Sequence, residues 1–214
     1  MRNRFSTRGN RFVHLMSSRF NCLFSSVSSV FICGSNALMK ILGIDPGLQI
    51  TGYGVIDAAQ PMRPKLVDGG VIRLKPKTSI PDRLVELERE LNDLIDEHKP
   101  DVCAVEQLYS HYAHPRTAIL MGHARGVILL VAARRGVTVE QFAANRIKQS
   151  LTGYGHAGKR QMQRAIRATW NLSAPPEPPD VADALAVALC CVRATAGAIG
   201  GGRGFASPRG RART

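Results

Sequence analysis

The chain is short of several things, and each shortage narrows what it can be. Aromatic residues make up 6% of it, with one tryptophan. No uninterrupted apolar run reaches the ~18 residues that suggest a membrane span. The five cysteines, Cys22, Cys33, Cys103, Cys190 and Cys191, form no CxxC pair and no zinc spacing, and an odd number leaves one over from any pairing. Reduced thiols in a cytosolic protein are the simpler expectation. Acidic residues are missing altogether from both ends. Residues 1–38 hold five arginines and no acid, and residues 196–214 hold four arginines and no acid.

The formal charge of +13 is therefore unevenly spread. Nine charges belong to the ends. Inside the core, residues 40–106 carry nine bases and twelve acids, residues 107–176 carry ten bases and one acid, and residues 177–195 come to −2. A basic middle between two acidic clusters suits a phosphate-binding face beside a metal site. The plainer alternative is a basic protein with solvated arginines.

Length and hydrophobic content point to one domain with loose ends. Residues 1–38 are rich in Ser, Arg and Asn, lack a secretory h-region, and hold no apolar period long enough to pack. We read them as a disordered extension or an over-extended start, with Met39 opening the working protein. An Arg- and Ser-rich transit peptide is the alternative. Residues 196–214, Gly- and Arg-rich, are expected to be a disordered tail. The domain lies between, at 39–195.

Lys40–Ile44 reads as a buried strand ended by the turn Asp45-Pro46-Gly47. Strand character resumes at Thr51–Ile56, and again at Leu66–Leu74 with an expected break at Gly69-Gly70. Short connections predict an antiparallel meander. Leu84, Leu87, Leu91, Leu94 and Ile95 then share one helical face, with Pro81 at its start and Pro100 past its end. Val102–Val105 is a fourth strand running into Glu106. Ala118–Arg134 reads as a helix whose Gly122 and Gly126 cost stability unless another backbone packs close. Val137–Phe142 is a fifth strand, and Lys159–Trp170 and Val181–Val192 are helices. Such an order makes an α/β domain with helices covering a mixed sheet.

Four carboxylates stand out. Asp45 and Glu106 lie at strand ends, where ligands sit in open α/β sheets. Asp180 and Asp183, three apart, share one face at the start of the last helix. Oxygen ligands of this kind suit Mg²⁺ or Mn²⁺. Two such ions ~4 Å apart activate water and stabilise a leaving 3′-oxygen in phosphodiester cleavage. Each carboxylate also has an ordinary explanation. Asp45 could serve only the turn. Asp180 could be an N-cap, with Asp183 favoured by the helix dipole. Glu106 is harder to dismiss, since a charge at the edge of Val-Cys-Ala-Val needs a reason.

The segment Gly43-Ile-Asp-Pro-Gly-Leu-Gln-Ile-Thr-Gly-Tyr-Gly-Val55 resembles the opening motif of the RuvC family of crossover (Holliday) junction endodeoxyribonucleases. Ala104-Val-Glu-Gln-Leu-Tyr109 resembles its second motif, and Gly122-His-Ala-Arg-Gly-Val127 the segment after it. Arg146-Ile-Lys-Gln149 and Gly158-Lys-Arg-Gln161 resemble its basic motifs, and Asp180-Val-Ala-Asp-Ala-Leu-Ala-Val-Ala188 its final one. The resemblance runs in order from about Met39 to Arg193.

It implies an RNase H-like fold: a five-stranded mixed sheet flanked by helices. It implies a cytoplasmic homodimer that binds four-way junction DNA, works with a RuvA–RuvB branch-migration complex, and has no membrane partner. Two strands of like polarity would be nicked, leaving 5′-phosphate and 3′-hydroxyl ends. By the same resemblance Asp45, Glu106, Asp180 and Asp183 hold two Mg²⁺ ions per subunit, with Mn²⁺ as a substitute. Tyr109 falls on an aromatic used against junction bases, and Lys148 and Lys159 on basic positions for junction binding or catalysis. Arg125 would contact phosphate or hold Glu106 in place. The leader and the Gly-Arg tail have no counterpart in the family pattern.

Three rivals share part of this pattern. A phosphotransferase of the actin or sugar-kinase kind has a strand-Asp-x-Gly opening but needs two such domains, and this core supplies one. A noncatalytic junction-binding module should have lost at least one of the four carboxylates. A nuclease of the same fold acting on RNA or hybrids fits the aromatic Tyr109 and the Asp-Pro-Gly opening less well, by resemblance.

Overall fold

The computed structural model describes residues 39–108 and 115–200. The leader 1–38, Tyr109 and residues 201–214 of the expected tail lie outside the described residues.

The sheet begins with β1 (Lys40–Asp45), β2 (Ile50–Asp57) and β3 (Lys65–Arg73). β1 pairs antiparallel with β2, and β2 with β3, which is the expected meander. Helix α1 (Ile80–His98) returns the chain so that β4 (Val102–Glu106) lies parallel to β1. Helix α2 (Pro115–Arg134) does the same for β5 (Thr138–Phe142), parallel to β4. The sheet is five-stranded and mixed, in the order β3-β2-β1-β4-β5. Three helices close the chain: α3 (Ala144–Thr152), α4 (Lys159–Thr169) and α5 (Pro179–Gly200).

Strand alternation divides the core in two. Leu42, Ile44, Val55, Cys103 and Val105 face α1 and α2, meeting Leu87, Leu91, Ala124 and Ile128. Ile41, Ile56, Ala104 and Phe142 face α3, α4 and α5, meeting Ile147, Met162, Ile166 and the nearly continuous buried run Val181–Val192. Helix α1 is punctuated as its sequence predicts. The Ser79 hydroxyl accepts the Asp82 N–H at 3.3 Å, and Lys99 closes the far end in the left-handed region, its N–H on the Ile95 carbonyl.

Several expectations need correction. Gly69 and Gly70 do not break β3, since both stay in register, opposite Gly54 and Tyr53. A Cβ at Gly70 would press on the Tyr53 ring at 2.7–2.9 Å, so the glycine makes room for a side chain. Helix α3 was not anticipated from the pattern. At nine residues it is too short for a helical period to stand out, and only Ile147 and Leu151 are buried. Helix α5 continues past Val192 to Gly200, into the first residues of the expected tail. The stretch Ala194–Ile199 holds no proline or charge to stop it, and Ala favours helix.

Helix α2 is, among the described residues, the one helix long and apolar enough to cross a membrane by length and composition. His123 and Arg125 interrupt its apolar run. Its Ala124, Ile128, Val131 and Ala132 are buried in the domain core, while Ile119 and Leu130 are exposed.

Candidate active site

Asp45 is the last residue of β1 and Glu106 the last of β4. The two strands are parallel neighbours, and each acid is one residue past the paired Ile44 and Val105. Parity decides which way they face. Ile41 and Ala104 belong to the α5 side of the sheet, so Asp45 and Glu106, an even number of residues further on, point to that side too.

Helix α5 brings the other two carboxylates to the same end. Gly52 is the cross-strand partner of Asp45, and a Cβ on it would overlap the Asp180 carbonyl. A Cβ on Gly43 would overlap the Ala184 carbonyl, and one on Gly54 the Leu185 side chain. Three glycines on two strands thus let α5 lie directly on the backbone of β1 and β2. Any larger residue would lift the helix start, and Asp180 and Asp183 with it, away from Asp45.

The carboxylates feel one another. Burial pushes the Asp45 carboxyl up to about 8, and the charges of Asp183, Glu106 and Asp180 push the same way against the pull of Lys159. Glu106 is raised by burial and by Asp183, and lowered by Lys148. Asp183 is raised by burial, lowered by Lys159 and Lys148, and raised by Asp180. Lys159, the first residue of α4, holds its Nζ 4.0 Å from the Asp183 carboxylate. Lys148 reaches the cluster from α3. Two ammonium groups face four carboxylates, so full ionisation leaves two negative charges uncompensated.

Two of the ordinary explanations fail, the turn for Asp45 and the N-cap for Asp180. The turn after Asp45 is held by Thr51, which is fully buried. Its hydroxyl donates to the Gly47 carbonyl at 2.6 Å and accepts the Gly47 N–H at 3.4 Å. No hydrogen bond among the described residues ends on the Asp45 side chain. Helix α5 begins at Pro179, so Asp180 lies inside the first turn and is not its N-cap.

A model of the RuvC family, described as crossover junction endodeoxyribonuclease RuvC, matches residues 41–191. The chain belongs to the RuvC family. A RuvC of Rhodopirellula baltica is 51% identical over 150 residues, covering 70% of this chain and 84% of that protein. One of Alkaliphilus oremlandii is 44% identical over 152 residues, covering 71% and 92%. Among solved structures, Thermus thermophilus RuvC in complex with a Holliday junction substrate aligns with a TM-score of 0.69 at 31% identity, over 74% of this chain and 96% of that one. The five-stranded sheet with its helices is the RNase H-like fold of RuvC. RuvC proteins are metal-dependent nucleases.

An all-oxygen donor set with surplus negative charge fits a hard divalent cation. Among the described residues, no three His, Cys, Asp or Glu side chains converge tightly enough to form a ready-made metal cage. Mutual repulsion of the like charges favours such an open arrangement.

The remaining positions named by the RuvC resemblance divide in two. Lys148 and Lys159 join the carboxylates. Arg125 does not: it sits on α2, across the sheet, where its guanidinium donates to the Gln141 side chain. Nothing pairs it with Glu106. Tyr109 lies outside the described residues. The sequence alone pointed to neither Thr51 nor Gly52. Their signal was present, as an isolated Thr between apolar residues and a glycine inside a strand, but both are common in turns and bulges.

Proposed function

We propose that this chain is the junction-resolving nuclease of its cell, acting in homologous recombination and DNA repair. It nicks two strands of like polarity symmetrically across a four-way junction, leaving 5′-phosphate and 3′-hydroxyl ends. The observation that carries this reading is the cluster of Asp45, Glu106, Asp180 and Asp183, whose charges are coupled at one end of the sheet.

Asp45, central to the cluster, would hold two Mg²⁺ ions together with Glu106, Asp180 and Asp183. Mn²⁺ substitutes. When bound, the ions lower the pKa of water and screen the charge of the scissile phosphate. The chain's own groups do the rest. Lys159, held beside Asp183, is placed to donate to a phosphate oxygen as charge develops there. Lys148, from the adjacent helix, adds positive charge on the Glu106 side. Pro46 and the Thr51–Gly47 hydrogen bonds fix the turn that follows Asp45. Tyr109 stacks on a junction base, and Arg125 contacts phosphate.

The working form is a homodimer, which gives two centres for paired cuts. A stripe on the outer face of α2 supports this. Ile119 is 60% exposed and Leu130 48% exposed, and among the described residues no atom outside the helix's own adjoining backbone lies within 4 Å of a Cβ built on Gly126 between them. A second helix packs closely where glycine leaves room, and this accounts for a glycine whose outer side no described residue covers. The enzyme acts in the cytoplasm with a RuvA–RuvB branch-migration complex. The nuclease domain runs from Met39 to about residue 195.

The test is incubation with a mobile four-way junction, a linear duplex and an RNA–DNA hybrid, each in Mg²⁺ and in EDTA. Paired nicks in the junction alone, and only with Mg²⁺, are expected. Cleavage of the hybrid in preference to the junction overturns the reading.

A further inference from the structure

Helix α4 carries more positive charge than the reaction centre uses. Lys159 points inward to Asp183, on the side of the buried Met162 and Ile166. Arg160, Arg164 and Arg167 lie four and three residues apart, so they form one ridge on the opposite, outer face. All three are exposed. Among the described residues no carboxylate pairs with any of them, and Arg167 Nε donates instead to the Leu172 carbonyl at 3.0 Å. Three arginines across the sheet differ. Arg89, Arg134 and Arg135 are each ion-paired, to Glu90, Glu88 and Asp96.

An unpaired row of like charges repels itself, and the first turn of α4 has no acid to relieve it. The ridge starts one residue after the lysine that touches the active site and runs ~10 Å along the helix. Measured along the duplex axis, that distance spans about three phosphates of one strand. Helix α4 also lacks the anchors of a protein interface, since no large hydrophobic residue on it is exposed.

Building on the junction-nuclease reading, we propose that Arg160, Arg164 and Arg167 form a phosphate track for one duplex arm of the junction, outside the reaction centre. The track reads no sequence. It sets the arm's path and raises affinity for any duplex that leaves the site in that direction.

The experiment measures binding of a labelled immobile four-way junction by full-length protein in Ca²⁺, across a series of KCl concentrations. For R160Q/R164Q/R167Q, the slope of log Kd against log salt should fall by about 2 to 3, near 0.9 for each phosphate that is no longer neutralised. Affinity at moderate salt should drop at least ~10-fold. The R89Q/R135Q protein, which removes two charges from across the sheet, should keep the wild-type slope. Thermal melts of both variants establish that each is folded. A folded triple variant with the wild-type slope overturns the track, and if it has also lost function in cells, the ridge takes an acidic protein instead. Wild-type protein that shows no affinity for the junction overturns the nuclease reading, and the track with it.

Discussion

The two faces of the sheet hold similar numbers of charged groups and use them in opposite ways. On the α1–α2 face three arginines are spent on neighbouring acids, Arg89 on Glu90, Arg134 on Glu88 and Arg135 on Asp96. On the α3–α5 face four carboxylates crowd together against two lysines, and a row of arginines has no acid. Charges that neutralise one another on a surface contribute little to stability and nothing to chemistry. Charges left uncompensated cost stability and remain available to a ligand of opposite sign. The contrast between the faces, more than the total of +13, locates the function.

The comparison breaks most sharply at Asp45. Asp45→Asn is expected to lower junction cleavage more than ~100-fold, beyond the loss usual for residues that only support a metal ligand. Junction binding in Ca²⁺ should change far less, which a gel-shift and cleavage assay on one substrate would establish. The same substitution should stabilise the metal-free protein. The Asp45 carboxyl is raised from 3.8 to about 8, so keeping it ionised in the folded state costs stability. That cost is absent below pH 4 and grows as pH rises towards 8. Melts in EDTA across this range should diverge for wild type and variant as pH rises, and parallel curves would remove the coupled cluster.

A second effect follows from the same sign. Divalent ions need ionised carboxylates, so uptake near neutral pH should release protons and cleavage should rise between pH 6 and 8. Calorimetry in two buffers of different ionisation enthalpy measures the protons directly.

Packing gives the next pair. Gly52→Ala places a methyl against the Asp180 carbonyl, and overpacking of this kind costs ~1–3 kcal/mol. Activity should fall with it, because the start of α5 must move. Gly126→Ala meets nothing within 4 Å and should stabilise the isolated subunit by ~1 kcal/mol. Sedimentation should show it weakening self-association, and an unchanged dimer would remove the α2 seam.

The smallest pair sets a buried polar group against an exposed one. Thr51→Val leaves both Gly47 groups without their partner and should cost ~1–3 kcal/mol, with Thr51→Ser recovering most of it. Asp96→Asn, on the other face, should cost at most ~1 kcal/mol. Chemical denaturation ranks them.

Much of this was legible in the chain itself. The short apolar runs Lys40–Ile44 and Val102–Val105 marked two buried strands and put an acid at the end of each. The spacing of Leu84, Leu87, Leu91, Leu94 and Ile95, with Pro81 and Pro100, bounded α1. The motifs around Asp45, Glu106 and Asp180 resembled those of RuvC. What stayed hidden was local structure with a weak signal, such as the short α3, or with a misleading one, such as Gly69-Gly70.

Residue types, their order and their periodicity are properties of the chain, so the sequence by itself determined the strands, most of the helices, the family and the four acids to suspect. Whether those acids meet is a property of space. That depended on β1 and β4 being parallel neighbours, on the parity that turns Asp45 and Glu106 to the α5 side, and on glycines at 43, 52 and 54 that let a helix about 130 residues downstream rest on their backbone. The same was true of Arg125, which belongs to the segment after the second motif but lies across the sheet. Charge interacts through distance, and distance between residues far apart in the chain is decided only when the layers pack.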